Sequence, residues 1–253
     1  MTFAYKSHPV YSFILLANRD EFYNRPSKTM HYWDDHSDVL AGRDLEHGGT
    51  WLGINQQGKF SAVTNYRDGK KTQDNVRSRG GLTREFLCST SDAITYLQTL
   101  QTRQHEYGDY NLLTGDTSGL YYQSNREGPI KKITPGVYGL SNALLDTPWP
   151  KLINARSSLQ KMLHDNEPER DKLLDIMSDK LKAVPKELPD TGIPYDWELL
   201  LSSCFIQSAD YGTRATTVLL QKPNGETTII EKSFGPKGAE EEHEFSLITK
   251  AIG

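Results

Sequence analysis

The chain has no apolar run near the roughly 20 residues that a membrane helix needs; its longest, about Phe13–Ala17, is core-strand length. Only two cysteines occur, Cys88 and Cys204, so a disulfide framework is excluded and one bridge at most is possible. Positive charge is not in excess. The net charge of −4 and the lack of any basic tract argue against nucleic acid as the main partner. The seven histidines, His8, His31, His36, His47, His105, His164 and His243, form no metal-ligand spacing, and no metal or nucleotide cofactor is expected. No P-loop, dinucleotide fingerprint or Gly-x-Ser-x-Gly elbow occurs. The start lacks a secretory layout, so a cytoplasmic protein without a transmembrane segment is expected.

What is present is a globular composition, 36% hydrophobic and 25% charged, in a chain of 253 residues. That length supports a real core, read here as one domain over 1–253. Strand signals dominate. Phe3–Tyr5 and Tyr11–Leu16 flank the turn Lys6–Pro9. Trp51–Asn55 and Lys59–Asn65 flank Gln56-Gln57-Gly58. Thr216–Gln221 and Thr227–Glu231 flank a turn carrying Asn224-Gly225. Asn111–Thr114, Leu120–Gln123, Gly136–Leu140 and Glu244–Ile248 complete the predicted strands. Helices are predicted over Asp92–Thr102 behind an N-capping Ser91, over Lys151–Asp165 and over Asp171–Val184, where Leu174, Met177 and Leu181 share a face. With Tyr195–Leu201 the last two make a helical segment at about 151–201. The order of strands, helices, then strands gives an α+β class.

The most informative feature is Asn18-Arg19-Asp20-Glu21, four strong hydrogen-bonding side chains directly after the apolar run Phe13–Leu16. On a strand, Asn18 and Asp20 face one side and Arg19 and Glu21 the other. One pair can address a pocket while the other pairs internally; alternatively the quartet is a buried Arg–carboxylate staple before Arg25-Pro26. Gly48-Gly49-Thr50-Trp51-Leu52-Gly53 reads as a tight turn into a strand, with glycine supplying positive φ. Thr64-Asn65-Tyr66-Arg67 ends the next strand, where an Asn amide can donate to an oxyanion. Ser141-Asn142 reads as an Asx turn before the Lys151 helix. Tyr211-Gly212-Thr213-Arg214 leads into a strand, with Arg214 an anion anchor or a rim charge.

In this order the blocks resemble the NRDE family, also called the transport and Golgi organisation protein 2 family, from about His8 to the C-terminus. Ala17-Asn18-Arg19-Asp20-Glu21-Phe22 followed by Arg25-Pro26 is its most specific block. The resemblance implies a fold like the N-terminal-nucleophile hydrolases, a four-layer αββα sandwich of two antiparallel sheets flanked by helices. In that superfamily the first residue attacks an amide with its own α-amine as base. It further implies that Arg19 contacts the nucleophile, Asp20 orients the terminal amine, Asn65 and Asn142 shape the pocket and oxyanion hole, and Arg214 returns beside the nucleophile. Ligand contacts are expected from Asn18, Arg19, Asp20, Glu21, Trp51, Asn65, Tyr66 and Asn142.

Family members typically begin Met-Cys. Here Met1-Thr2 precedes Phe3 directly, and against that pattern the chain looks a few residues short. Thr2 is the substitute nucleophile, but out of register, because each strand residue advances about 3.3 Å and attack needs an approach of about 3–3.5 Å. The resemblance therefore implies an intracellular ligand-handling protein first, concerned with haem trafficking or homeostasis. A non-peptide amide hydrolase or acyltransferase is the alternative. The expected ligand is a small molecule, haem as transferred cargo or a lipid-like acyl compound. His8, His47 and the tyrosines are the candidate haem contacts.

Overall fold

A computed structural model describes residues 1–70, 76–165 and 167–253. The chain opens with the antiparallel pair β1 (Thr2–Tyr5) and β2 (Phe13–Phe22). A meander follows, β3 (Ser27–Tyr32), β4 (Val39–Asp44), β5 (Leu52–Asn55) and β6 (Phe60–Asn65). Helices α1 (Gly80–Cys88) and α2 (Ala93–Arg103) precede β7 (Tyr110–Asp116), β8 (Gly119–Ser124), β9 (Lys131–Lys132) and β10 (Gly136–Gly139). After α3 (Pro150–Met162), α4 (Arg170–Met177) and α5 (Tyr195–Leu200) come β11 (Tyr211–Gln221), β12 (Glu226–Gly235) and β13 (Gly238–Ile248).

The strands form two antiparallel sheets, ordered β10-β1-β2-β11-β12-β13 and β3-β4-β5-β6-β7-β8-β9. Helices α3 and α4 pack on the outer face of the first sheet, and α1 and α2 on that of the second. This is the expected four-layer αββα sandwich. No helix among the described residues is long and apolar enough to cross a membrane.

The run Phe13–Leu16 is apolar throughout because β2 is buried on both faces. Phe13 and Leu15 join Phe3, Leu40, Phe60 and Leu113 in the core between the sheets. Ile14 and Leu16 turn the other way, onto Leu159, Leu173 and Leu174 of α3 and α4. The same alternation carries on into the polar residues beyond.

The three predicted hairpins form, and their turns contain Lys6, Gly58 and Gly225 at positive φ. Two expectations need correction, and three elements were not expected. Asp92, not Ser91, caps α2, its carboxylate accepting from the Thr95 amide at 2.9 Å. The helix predicted over Asp171–Val184 ends at Met177. Asp179 accepts the Leu181 amide at 2.8 Å, a local turn that competes with the helix, and Leu181 is left 70% exposed. Strands β3 and β4 and helix α1 have no counterpart in the sequence reading. Cys88 and Cys204 form no bridge; both are free.

Candidate functional site

The polar end of β2 opens into a cavity of about 480 Å³ at one end of the sandwich. Along β2, Asn18 and Asp20 continue the helix-facing set of Ile14 and Leu16, and Arg19 continues the set facing the second sheet. The cavity is reached from both sides of the strand.

Asn18 is fully engaged. Its amide nitrogen donates to the Met177 carbonyl at 2.8 Å and the Cys204 carbonyl at 2.9 Å, and its oxygen accepts from Thr216 at 2.7 Å. It borders the cavity and fixes its wall, with both amide hydrogens committed to backbone carbonyls. Asp20 accepts from the Thr213 hydroxyl at 2.7 Å. Burial pushes its carboxyl up from the ordinary range, while Lys151, Thr213, the chain's α-amine and Arg67 pull it back. Arg19 lies over Trp51, its guanidinium carbon 4.3 Å from the ring centroid. Its side chain is 8% exposed, and its polar contacts are long, 3.4 Å to Ser27 and 3.7 Å to Asp44. Trp51 is seated against Gly42, where a Cβ would come 2.3 Å from the indole ring. Glu21 accepts from the Phe22 amide and lies 3.7 Å from Arg25.

Asn65, Tyr66 and Asn142 also line the cavity. Asn142 donates to the Asn65 carbonyl at 2.9 Å and accepts from Ser141 at 3.3 Å, tying β6 to the segment after β10. The exposed amide of Asn65 has no side-chain partner among the described residues, so of the two it is the one free to donate to a ligand.

Two of the expected catalytic residues lie elsewhere. The pairing of β11 with β2 shifts register between Thr213 and Ala215, and Arg214 occupies this bulge. Its guanidinium donates to the carbonyls of Phe22, Tyr23 and Arg25 at 3.0–3.2 Å. Arg214 therefore clamps the turn after β2 and does not line the cavity. Thr2 is wholly buried in β1, its hydroxyl donating to the Tyr138 carbonyl at 2.9 Å, which removes it as a nucleophile facing the cavity. His8 donates through Nε2 to the Asp165 carbonyl at 2.8 Å, His47 sits beside Glu46, and neither lines the cavity.

Sequence reasoning missed the inner wall. The Met1 α-amine donates to the Leu140 carbonyl at 2.9 Å, and the Leu140 amide returns a bond to the Met1 carbonyl. Burial lowers the pKa of this amine. Lys151, in the first turn of α3, donates to the Leu201 carbonyl at 2.7 Å. Cys204 completes the wall, its thiol pushed up by burial. Arg67 and Arg79 line the flanks. Arg67 is spent on the buried Glu198 at 2.9 Å, and Arg25 on Asp44 at 2.6 Å and Glu46 at 3.0 Å. Arg19, Arg79, Lys151 and the α-amine keep donors to offer, with Asp20 as the carboxylate among them. Trp51, Leu52, Val63, Leu140, Leu152 and Ile206 supply apolar surface. The described residues contain no cluster of His, Cys, Asp or Glu that could hold a metal ion.

Two antiparallel sheets between helix layers, with the chain's first strand at the cavity and its α-amine in the wall, define an αββα sandwich. The N-acylethanolamine-hydrolyzing acid amidase ortholog of Caenorhabditis elegans has a similar fold, with a TM-score of 0.51 at 14% identity over 87% of this chain and 91% of that one. The chain belongs to the Transport and Golgi organisation 2 family, whose model matches residues 1–236. It is 38% identical to the Transport and Golgi organization 2 homolog of Mus musculus, over 90% of this chain and 88% of that protein. It is 36% identical to the Homo sapiens homolog, over 91% and 90%.

Proposed function

We propose that the protein binds a small molecule that joins a carboxylate to an apolar body, and handles it as cargo in this cavity. The observation that carries this reading is the pairing of under-committed cations, Arg19, Arg79, Lys151 and the α-amine, with apolar walls in one enclosure of about 480 Å³. That size falls in the range of small-molecule sites, about 300–1,000 Å³. Haem, with two propionates, and a lipid-like acyl compound share this chemistry. The family resemblance favours haem trafficking. Cys204, Tyr66, Tyr211 and Met1 line the cavity and are side-chain types that can ligate haem iron. Titration with haemin, read by its Soret band, and with dodecanoate, read by calorimetry, separates the two sources. A saturable one-to-one signal that Arg19→Met weakens supports the reading for that ligand. Non-saturable haemin binding overturns the haem assignment, and no saturable binding of either overturns the reading itself.

Amide hydrolysis is a second reading, favoured by the α-amine lying in the same wall as Asp20, within range of its charge. Ethanolamine release from an N-acylethanolamine above the buffer rate supports it; release at the buffer rate counts against it.

A further inference from the structure

Lys151 differs from the ion-paired surface lysines of this protein; like Lys59, whose ammonium is buried on the Phe86 and Ser89 oxygens, it is held by neutral acceptors, but it alone of the two lines the cavity. Lys131, Lys172 and Lys222 lie on the surface, each 2.6–2.8 Å from a carboxylate that holds it charged. Lys151 lies inside the cavity with one neutral acceptor, the Leu201 carbonyl. No carboxylate of the described residues comes within the 4.0 Å of an ion pair. It also occupies the first turn of α3, where the helix dipole disfavours a cation. The groups facing it are Asp20 from β2, Arg67 after β6, Glu198 from α5, Cys204 before β11 and the Met1 amine from β1. Burial pulls the ammonium's pKa down, Asp20 raises it, and Arg67 lowers it.

We propose that Lys151 is a carbonyl-reactive amine, which forms an imine with an anionic aldehyde or ketone bound in the cavity, with Asp20 as proton donor. Burial raises the Asp20 carboxyl's pKa from the ordinary range, the direction that role needs. The Nζ lone pair adds to the carbonyl carbon, and one proton moves from nitrogen to oxygen to give a carbinolamine. Asp20 then protonates the hydroxyl, which leaves as water. The nitrogen lone pair forms the C=N bond, leaving a protonated imine beside the Asp20 carboxylate. Nothing is oxidised or reduced. A lysine taken out of water near another cation is a recognised route to this nucleophile. Arg19 and Arg79 supply the contacts for the ligand's anionic group. The inference rests on the cavity being a small-molecule site.

The test uses the whole chain and pyridoxal 5′-phosphate, an anionic aldehyde, at pH 7. Borohydride traps any imine, and peptide mass spectrometry locates it. Lys151 is expected to be labelled faster than the exposed Lys182 and Lys186, because its place in the cavity without a carboxylate partner favours the neutral amine. Asp20→Asn is expected to slow labelling of Lys151 and to leave Lys182 and Lys186 unchanged. Labelling of Lys151 no faster than the exposed lysines, or an adduct at Met1 alone, overturns the proposal. Parallel dodecanoate and haemin titrations separate the two claims. Dodecanoate binding without selective labelling removes the imine chemistry only, and selective labelling with saturable binding of neither dodecanoate nor haemin removes the cargo reading only.

Discussion

The hydroxyl of Thr213 donates to the carboxylate of Asp20 at 2.7 Å, on the β11 side of the register shift. Thr213 also accepts from the Ile206 amide at 2.9 Å, so its rotamer is fixed before any ligand arrives. Thr213→Val removes a hydrogen bond to a charged group and strands the Ile206 donor. A loss of about 1.5–3 kcal/mol is expected in denaturant titration. NMR of Asp20 is expected to show its carboxyl titrating still higher. A loss under 0.5 kcal/mol would mean that Thr213 does not support the site.

Asn18→Ala separates wall from ligand contact. The substitution leaves the Met177 and Cys204 carbonyls without their shared donor. A destabilisation of about 2–3 kcal/mol is expected from the buried groups left unmatched. Binding at the cavity is expected to weaken only as the wall loosens, so low temperature or a stabilising salt restores it. Loss of binding with full stability would assign Asn18 a direct ligand contact.

Strands with turn chemistry at both ends were legible, and the hairpins of β1–β2, β5–β6 and β11–β12 appear where their glycines and polar turns put them. Strand β3 was not legible, because it lies at a sheet edge with Met30 its one buried residue, so no alternation develops. Helix α1 was hidden by Gly80-Gly81 at its start. Those glycines answer a tertiary demand, since the Thr50 amide donates to the Gly80 carbonyl at 3.1 Å. The outer half of the site was legible as a polar quartet on an apolar strand. The inner half was not, because Met1, Lys151 and Cys204 meet only through the sheet order. One local signal for Lys151 was available: a lysine in a helix's first turn opposes the dipole.

Gly49→Ala tests the contact that seats α1 at the cavity. A Cβ there would lie 2.5 Å from the Gly80 carbonyl carbon and 2.6 Å from its oxygen, both backbone atoms that cannot rotate away. Overpacking of this kind costs about 1–3 kcal/mol. The thermal midpoint is expected to fall, and Arg79, which precedes α1, to lose its place on the Asp109 carbonyl. An unchanged midpoint would show that the approach relaxes freely.

Glu231 gives the fold a pH dependence. It is buried on β12 and accepts the Met30 amide of β3, tying the two sheets together. Burial pushes its pKa from 4.5 up to about 7. Between those values the folded chain keeps a proton that the unfolded chain has lost, so this group's contribution to stability falls as pH rises through that window. Glu231→Gln is expected to stabilise the protein above pH 7 by on the order of 1–3 kcal/mol, and to give little difference below about pH 4. Stability curves of the two proteins that stay parallel from pH 4 to pH 8 would contradict this assignment.

In the proposed function a small carboxylate-bearing ligand occupies the enclosure formed by Arg19, Asp20, Lys151 and the α-amine. Acetylation footprinting tests it most directly. The chain is treated with limiting acetic anhydride with and without saturating dodecanoate or haemin, and the modified amines are mapped by mass spectrometry. The ligand is expected to protect Lys151 and the Met1 amine while Lys182 and Lys186 react unchanged. Equal modification of Lys151 and Met1 with and without a bound ligand would contradict it.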